Sequence, residues 1–114
     1  MLLRFALSKF KIANFQTHSG YLEAALNKRK IIYKRQQGIP VLYDHIKMDL
    51  GFRADIIIEN KVLLEIKSTQ TIAPVDAKRV LTYLRFAEIE VGLLINFNVA
   101  LLKEGITRLV LDAK

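Results

Sequence analysis

Two short apolar segments separated by three residues constrain the fold of this chain more than any other feature. Residues 52–58 end in Ile56-Ile57-Ile58, residues 62–67 begin Val-Leu-Leu, and Glu59-Asn60-Lys61 lies between them. Runs of this length and composition are typical of strands that are covered on both faces of a sheet. The spacing predicts an antiparallel hairpin with a three-residue loop, in which Asn60 or Lys61 takes the left-handed conformation.

Three charged residues interrupt these apolar strands. Asp55 lies in the first strand, and Glu65 and Lys67 lie in the second. With a three-residue loop Asp55 falls opposite Glu65, and Glu65 shares a face with Lys67 because the two are two residues apart. A charge in a buried strand is costly unless it is paired or bound to a metal. From spacing alone, the trio fits either a cross-strand salt bridge or a site for Mg²⁺, which prefers hard oxygen ligands.

The rest of the pattern predicts an α/β domain that spans residues 1–114. Apolar residues at helical or strand spacing, together with turn residues, mark the remaining elements. These are a helix over 20–33, strand segments at 41–43 and 46–48, a helix over 74–88 that starts at Pro74, and strands at 91–96 and 107–111. The predicted order is helix, three strands, helix and two strands (αβββαββ). The apolar residues 1–7 are a first helix or an irregular start.

Composition excludes several classes of protein. The chain has no Cys, which rules out disulfides, thiol catalysis and thiolate zinc sites, and a cytoplasmic location is the expectation. Its longest apolar runs, such as residues 91–95, are too short to cross a bilayer, so no membrane association is expected. His18 and His45 have no second histidine or acid at ligand spacing, so neither predicts a metal site.

The net charge of +7 suits a polyanionic partner. The basic residues are densest at Lys28-Arg29-Lys30 and at Lys34-Arg35. These clusters fit either a contact with nucleic acid or the solvated end of a helix, and charge alone does not separate the two.

From about Gly20 to its C-terminus the chain resembles the GxxExxY protein family, a group within the PD-(D/E)XK nuclease superfamily. The matching stretches are Gly20-Tyr21-Leu22-Glu23, Lys34-Arg35-Gln36, Ile39-Pro40-Val41, Asp49-Leu50-Gly51-Phe52-Arg53-Ala54-Asp55, Val62-Leu63-Leu64-Glu65-Ile66-Lys67, Leu81-Thr82-Tyr83-Leu84-Arg85 and Val91-Gly92-Leu93-Leu94-Ile95-Asn96-Phe97-Asn98-Val99. Residues 1–19 match poorly.

The resemblance implies a restriction-endonuclease-like core, in which a mixed sheet is flanked by helices. It also implies that Asp55, Glu65 and Lys67 occupy the catalytic positions of the superfamily. Glu23 matches the family's motif glutamate and is either an outer ligand of the metal, Mg²⁺ or Mn²⁺, or a solvated helix residue. The leading hypothesis is a metal-dependent nuclease in which Asp55, Glu65 and the Ile66 carbonyl hold the ion and Lys67 assists the attacking water.

The chain departs from the family pattern at two places. Leu26 replaces the motif tyrosine, and the first helix looks about two turns shorter than the family's, which suggests a truncated helix. Residues 76–79 replace a His-Glu-Ala-Gln run, which puts Arg79 at the helix glutamine, where it either contacts phosphate or disables the site. Tyr83, one turn on, is either a nucleic-acid contact or a packing aromatic.

Two alternative hypotheses remain at this stage. One is a catalytically inactive domain that keeps the fold and binds nucleic acid or a protein partner. The other is a homodimer, because a truncated first helix would leave one face of the sheet partly uncovered.

Overall fold

The computed structural model describes residues 18–49 and 51–111, so the predicted element at residues 1–7 lies outside the described residues. The elements within these ranges are two helices, seven strands and one 3₁₀ turn. They are α1 (His18–Lys28), β1 (Tyr33–Gly38), β2 (Val41–Tyr43), β3 (Ile46–Met48), β4 (Arg53–Ile58), β5 (Val62–Lys67), α2 (Pro74–Ala87), β6 (Val91–Asn96), the 3₁₀ turn Leu102–Gly105 and β7 (Ile106–Val110). No described helix is long and apolar enough to cross a membrane.

Five strands form a mixed sheet in the order β1-β4-β5-β6-β7. Only β5 and β6 pair in parallel, and α2 provides the crossover that a parallel connection requires. The other neighbouring strands of this sheet are antiparallel. The predicted α/β class with a mixed sheet is therefore confirmed, and α1, α2 and the five strands follow one another in the order αβββαββ.

The first strand of that sheet is not the predicted one. Residues 41–48 fold instead as the hairpin β2–β3, a separate two-stranded sheet. Asp44 and His45 turn the hairpin with positive φ angles of 50° and 65°. A hydrogen bond of 2.8 Å from the Ile39 N–H to the Phe52 carbonyl closes its base. The hairpin is thus an insertion between β1 and β4.

Strand β1 occupies residues that the helical spacing assigned partly to the first helix. Helix α1 ends at Lys28, and the N–H groups of Arg29 and Ile31 both donate to the Leu26 carbonyl, at 3.2 Å and 3.0 Å. Lys30 takes a left-handed conformation (φ 57°), which stops the helix. Ile31 packs against the same core as Leu26, but from the extended chain that leads into β1. The prediction of a helix to residue 33 was wrong because Leu26 and Ile31 pack in the same core although only Leu26 belongs to the helix.

Each helix covers one face of the sheet. On one face α1 places Leu22 and Leu26 against a core that includes Ile56, Leu64 and Phe97. Burying a side chain of this size contributes about 1.5–3 kcal/mol. The described part of α1 therefore covers the face of the sheet that the homodimer hypothesis expected to be partly exposed.

The opposite face is covered by α2, which places Val80 and Leu84 against Leu63 and Leu94. A Cβ at Gly92 would lie 2.8 Å from a Val80 methyl carbon, so this glycine lets the helix approach β6. The predicted helix 74–88 and the predicted strand 91–96 are confirmed, and the last strand begins one residue before its predicted start at 107.

The β4–β5 hairpin has the predicted three-residue loop. Its register pairs Ile58 with Val62 and Ile56 with Leu64. Glu59 and Asn60 have positive φ angles of 51° and 54°, and the Lys61 N–H donates to the Ile58 carbonyl at 2.8 Å. Two successive residues of this kind match the twist of the flanking strands. The left-handed conformation predicted for Asn60 is confirmed; Lys61 does not adopt it, and Glu59 does.

Candidate active site

Asp55 lies at a break in both of its strand pairings. The ladder with β5 stops at Ile56 paired with Leu64. On the other side, β1 pairs with β4 before and after Asp55, but Gln36, which would lie opposite, has a positive φ of 50° and is not paired. The regular pairing of the sheet is thus interrupted on both sides of Asp55.

Side-chain hydrogen bonds replace the missing ladder between β4 and β5. The Ile66 N–H donates to Asp55 Oδ2 at 2.7 Å, and the Asp55 N–H donates to Glu65 Oε1 at 3.4 Å. Each acid therefore accepts a backbone hydrogen bond from the opposite strand. Since both bonds cross the same gap, they hold Asp55 and Glu65 side by side, as the predicted loop length requires.

Glu65 is the more buried of the two acids, with 6% of its surface exposed. Burial and then the charge of Asp55 raise the pKa of Glu65 from 4.5 to about 7, while the Asp55 N–H and the charges of Lys67 and Arg79 act in the opposite direction. The local cations therefore compensate only part of the cost of burying the Glu65 carboxylate beside Asp55. A divalent cation between the acids would remove the repulsion.

Lys67 lies on the same face of β5 as Glu65 and forms an ion pair with Asp76 on α2. Its Nζ lies 3.7 Å from Asp76 Oδ1. The other oxygen of Asp76 accepts a hydrogen bond from the Ala73 N–H at 3.0 Å, which caps the first turn of α2. Arg79 Nη1 lies 3.9 Å from Asp76 Oδ1 as well. Asp76 thus holds both cations beside the two acids.

Asn96 fixes the chain that follows Lys67. Its side chain is buried and makes three hydrogen bonds: Oδ1 accepts from the N–H groups of Thr69 and Asn98, both at 3.1 Å, and Nδ2 donates to the Thr69 carbonyl at 2.9 Å. The Phe97 N–H donates to the Lys67 carbonyl at 2.8 Å. The end of β5 is therefore held against the end of β6.

Asp76 and Asn96 were not predicted as residues of the site. The signals were present but weak: an acid in the first turn of a helix that starts with Pro74, and a polar residue at the end of an apolar strand. Both patterns occur for purely structural reasons, so only the packing of α2 and β6 against β5 reveals their position at the site.

Glu23 lies away from the two acids. Its Oε1 accepts a hydrogen bond from the Tyr33 hydroxyl at 3.3 Å, and its Oε2 lies 3.7 Å from Arg35 Nη1. Tyr33 packs against the core that α1 covers. Leu64 and Ile66 point to the same side, so Glu65, which lies between them on β5, points to the opposite side and faces α2. In the described ranges no group of three or more His, Asp or Glu side chains is placed to hold a metal ion. Glu23 therefore does not join Asp55 and Glu65.

The residues predicted to contact nucleic acid are divided between several surfaces. Lys28 is the last residue of α1, and Arg29 and Lys30 follow it near the start of β1, which pairs with the end of β4. Asp55 is three residues from that end, or about 10 Å along the strand. Arg35 belongs to the Glu23 pair on the α1 face. The structure does not bring these four cations to the acids.

Three other predicted contacts lie on the face of the acids. Lys34 is exposed and pairs across the sheet with Ile57, which packs on the α2 side. Arg79 is partly exposed and close enough for its charge to lower the pKa of Glu65. Tyr83 is only 9% exposed, and its ring lies 5.4 Å from that of Phe52. Tyr83 is thus a packing aromatic, and burial, followed by the charge of Glu65, raises its pKa.

The chain was compared with models of known protein families. The model of the PD-(D/E)XK nuclease superfamily matches residues 16–109, which include Asp55, Glu65, Lys67 and Asp76. No curated protein and no solved structure matches the chain significantly.

Proposed function

Because the chain belongs to the PD-(D/E)XK nuclease superfamily, we propose that it hydrolyses phosphodiester bonds of nucleic acid at the site formed by Asp55, Glu65 and Lys67. The mixed sheet between two helices is compatible with the restriction-endonuclease-like fold of this superfamily. One observation carries the proposal: two carboxylates from adjacent strands lie side by side at a break in the sheet, with a lysine on the same face.

Asp55 and Glu65 would hold a divalent metal ion, Mg²⁺ or Mn²⁺, with the Ile66 carbonyl as a further ligand. The donors fit, because carboxylate and carbonyl oxygens are the ligands that such ions prefer, and because Mg²⁺ is commonly bound by only one or two carboxylates plus water and phosphate oxygens. The raised pKa of Glu65 supports the fit, since it reflects first the burial of this carboxylate and then the nearby charge of Asp55, and a bound cation would offset both. When bound, the ion would supply Lewis acidity and neutralise charge on the phosphate.

Lys67 would act on the water or on the phosphate. Its ammonium group stands on the same face as Glu65 and is restrained by Asp76 at 3.7 Å. A fixed cation beside the reacting phosphate stabilises the negative charge that develops there. The same group can hold a water molecule through a hydrogen bond and orient it toward phosphorus. Asp76 in this view is a positioning residue, because it acts through Lys67.

Lys34 and Arg79 would bind the phosphate backbone on either side of the acids. Both are exposed cations on the α2 face of the sheet. Contacts of this type are independent of sequence and weaken as salt rises. This agrees with the net charge of +7, although charge does not distinguish DNA from RNA.

A second function is favoured by one observation. The ion pair of Lys67 with Asp76 occupies the ammonium group, which an active site would need for the phosphate or the water. In that case the domain would bind nucleic acid or a protein partner without cleaving it, as the replacement of the family's glutamine by Arg79 also suggests.

The test is a cleavage assay with end-labelled DNA and RNA, single- and double-stranded, in Mg²⁺, in Mn²⁺ and in EDTA. We expect the wild type to cleave at least one substrate only when metal is present, and Asp55→Ala and Lys67→Ala to be inactive. Lys103→Ala, which removes an exposed cation from the 3₁₀ turn, serves as the matched control. Binding without cleavage by the wild type would favour the second function, and cleavage by Asp55→Ala would refute the proposed site.

A further inference from the structure

A pocket with a volume of about 230 Å³ opens on the same face of the sheet as the two acids. It lies between β1, the C-terminal end of β4 and the C-terminal end of α2. We propose that this pocket binds the base of a nucleotide next to the phosphate held at Asp55 and Glu65. The inference rests on the proposed function and names the feature of the substrate that this part of the surface recognises.

The position of the pocket links it to the site. Ile57 lines the pocket, packs on the α2 side and is two residues from Asp55 on the same strand. Two residues correspond to about 7 Å along a strand. The pocket therefore lies close enough to the acids to receive the base of a nucleotide whose phosphate is bound there. Gln37, at the near rim, pairs across the sheet with Ala54, the neighbour of Asp55.

The lining of the pocket suits a flat ring with polar edges. Its floor is apolar and includes Ile57 and Ile89, which are buried. Phe86 stands at the wall with 37% of its surface exposed, so its ring is available for stacking on a base. The rim carries the amide groups of Gln37 and Asn60, which can both donate to and accept from the edges of a base.

The charge of the lining favours a nucleotide over other occupants. Lys34 is the cation of the rim, and no Asp or Glu occurs among the described residues that line the pocket. A lysine can bind the phosphate attached to the base, whereas an apolar side chain of a protein partner would leave the amides and the ammonium group without a role. The volume lies below the roughly 300–1,000 Å³ of pockets for drug-sized ligands, which fits one ring system.

Base preference in the absence of cleavage tests the pocket. We would measure by fluorescence polarisation, in Mg²⁺, the affinity of Lys67→Ala for labelled single-stranded homopolymers of each base and of equal length. This variant keeps Asp55 and Glu65, and because it is expected not to cleave, the labelled probe stays intact during the measurement. We expect the affinities to differ between bases.

Two second substitutions, each combined with Lys67→Ala, then remove the amide groups of the rim. Gln37→Ala removes one amide, and Asn60→Gly removes the other while keeping a residue that tolerates a positive φ. We expect each to reduce the preference for the favoured base about fivefold or more, since a good base contact is worth about 1–3 kcal/mol. Phe86→Leu keeps an apolar wall without the aromatic ring and should weaken binding to all bases, whereas Lys103→Ala should change neither quantity.

The outcomes separate the pocket from the proposed function. Binding with the same affinity for all bases, or an unchanged preference after Gln37→Ala and Asn60→Gly, would overturn the pocket and leave the nuclease proposal standing. No binding to any homopolymer by Lys67→Ala, together with no cleavage by the wild type, would overturn both.

Discussion

Replacement of Glu65 by Gln should make the metal-free protein more stable at alkaline pH. In the wild type Glu65 is buried beside Asp55, and its pKa is raised from 4.5 to about 7. Gln keeps the oxygen that accepts the Asp55 N–H and offers an N–H₂ group to the Asp55 carboxylate. The substitution therefore removes a poorly compensated charge and leaves the local hydrogen bonds in place.

The size of the effect follows from the two pKa values. Because the folded state holds the Glu65 proton more tightly than the unfolded state, ionisation of Glu65 lowers the stability of the fold as pH rises from 4.5 to about 7. At about 1.4 kcal/mol for each pH unit, the full cost above pH 7 is about 3 kcal/mol. Glu65→Gln should recover most of this amount at pH 8 and almost none at pH 4, where Glu65 is protonated in both states.

The assay is urea denaturation at pH 4, 6 and 8 in EDTA, followed by far-UV circular dichroism because the chain has no Trp. Glu90→Gln, which alters an exposed glutamate, is the matched control and should change the free energy of unfolding by less than about 0.5 kcal/mol. In saturating Mg²⁺ the advantage of Glu65→Gln should shrink or reverse, since only the wild type binds the ion. Equal stability of the variant and the wild type at pH 8, or a gain that does not depend on pH, would refute the reasoning.

Three further predictions test other parts of the account. Asn96→Ala should lower the free energy of unfolding by about 1–3 kcal/mol in urea, because the Thr69 N–H and carbonyl lose their partner. Asp76→Asn should lower the cleavage rate with little change in KM, and a wild-type rate in single-turnover kinetics would contradict its positioning role. Arg79→Ala should reduce the slope of log affinity against log salt concentration by about one, because one phosphate contact is lost. Lys103→Ala should show the wild-type slope.

The paired acids could be predicted because they depend on local rules. Side chains alternate along a strand, and the loop length fixes which residues face each other, so Asp55 and Glu65 are brought together by the three residues between β4 and β5. Pro74 likewise marked the start of α2, since a proline is tolerated in the first turn of a helix.

The boundary between α1 and β1 could not be predicted in the same way. Leu26, Ile31 and Tyr33 all contact one core, but the first belongs to a helix and the others to extended chain. The spacing of apolar residues indicates which residues are buried, but it does not indicate where the helix ends and the strand begins. The decisive feature, the left-handed Lys30, has no strong signature in its residue type.

The surroundings of the acids depend on packing between distant segments. The pairs of Lys67 with Asp76 and of Thr69 with Asn96, and the pocket near Ile57, exist only because α2 and β6 pack against β5 and β4 in one register. The same dependence accounts for Glu23, whose match to a motif left open an outer position at the metal, whereas the structure pairs it with Arg35 on the other face.

Calorimetric titration of Mg²⁺ and of Mn²⁺ into the wild type, Asp55→Ala and Glu65→Gln tests the central claim most directly. If the two acids hold a divalent ion, the wild type binds one ion, and each substitution abolishes or strongly weakens binding, while Glu90→Gln binds like the wild type. A wild type that binds neither metal, or variants that bind as tightly as the wild type, would contradict the claim that Asp55 and Glu65 form the metal site.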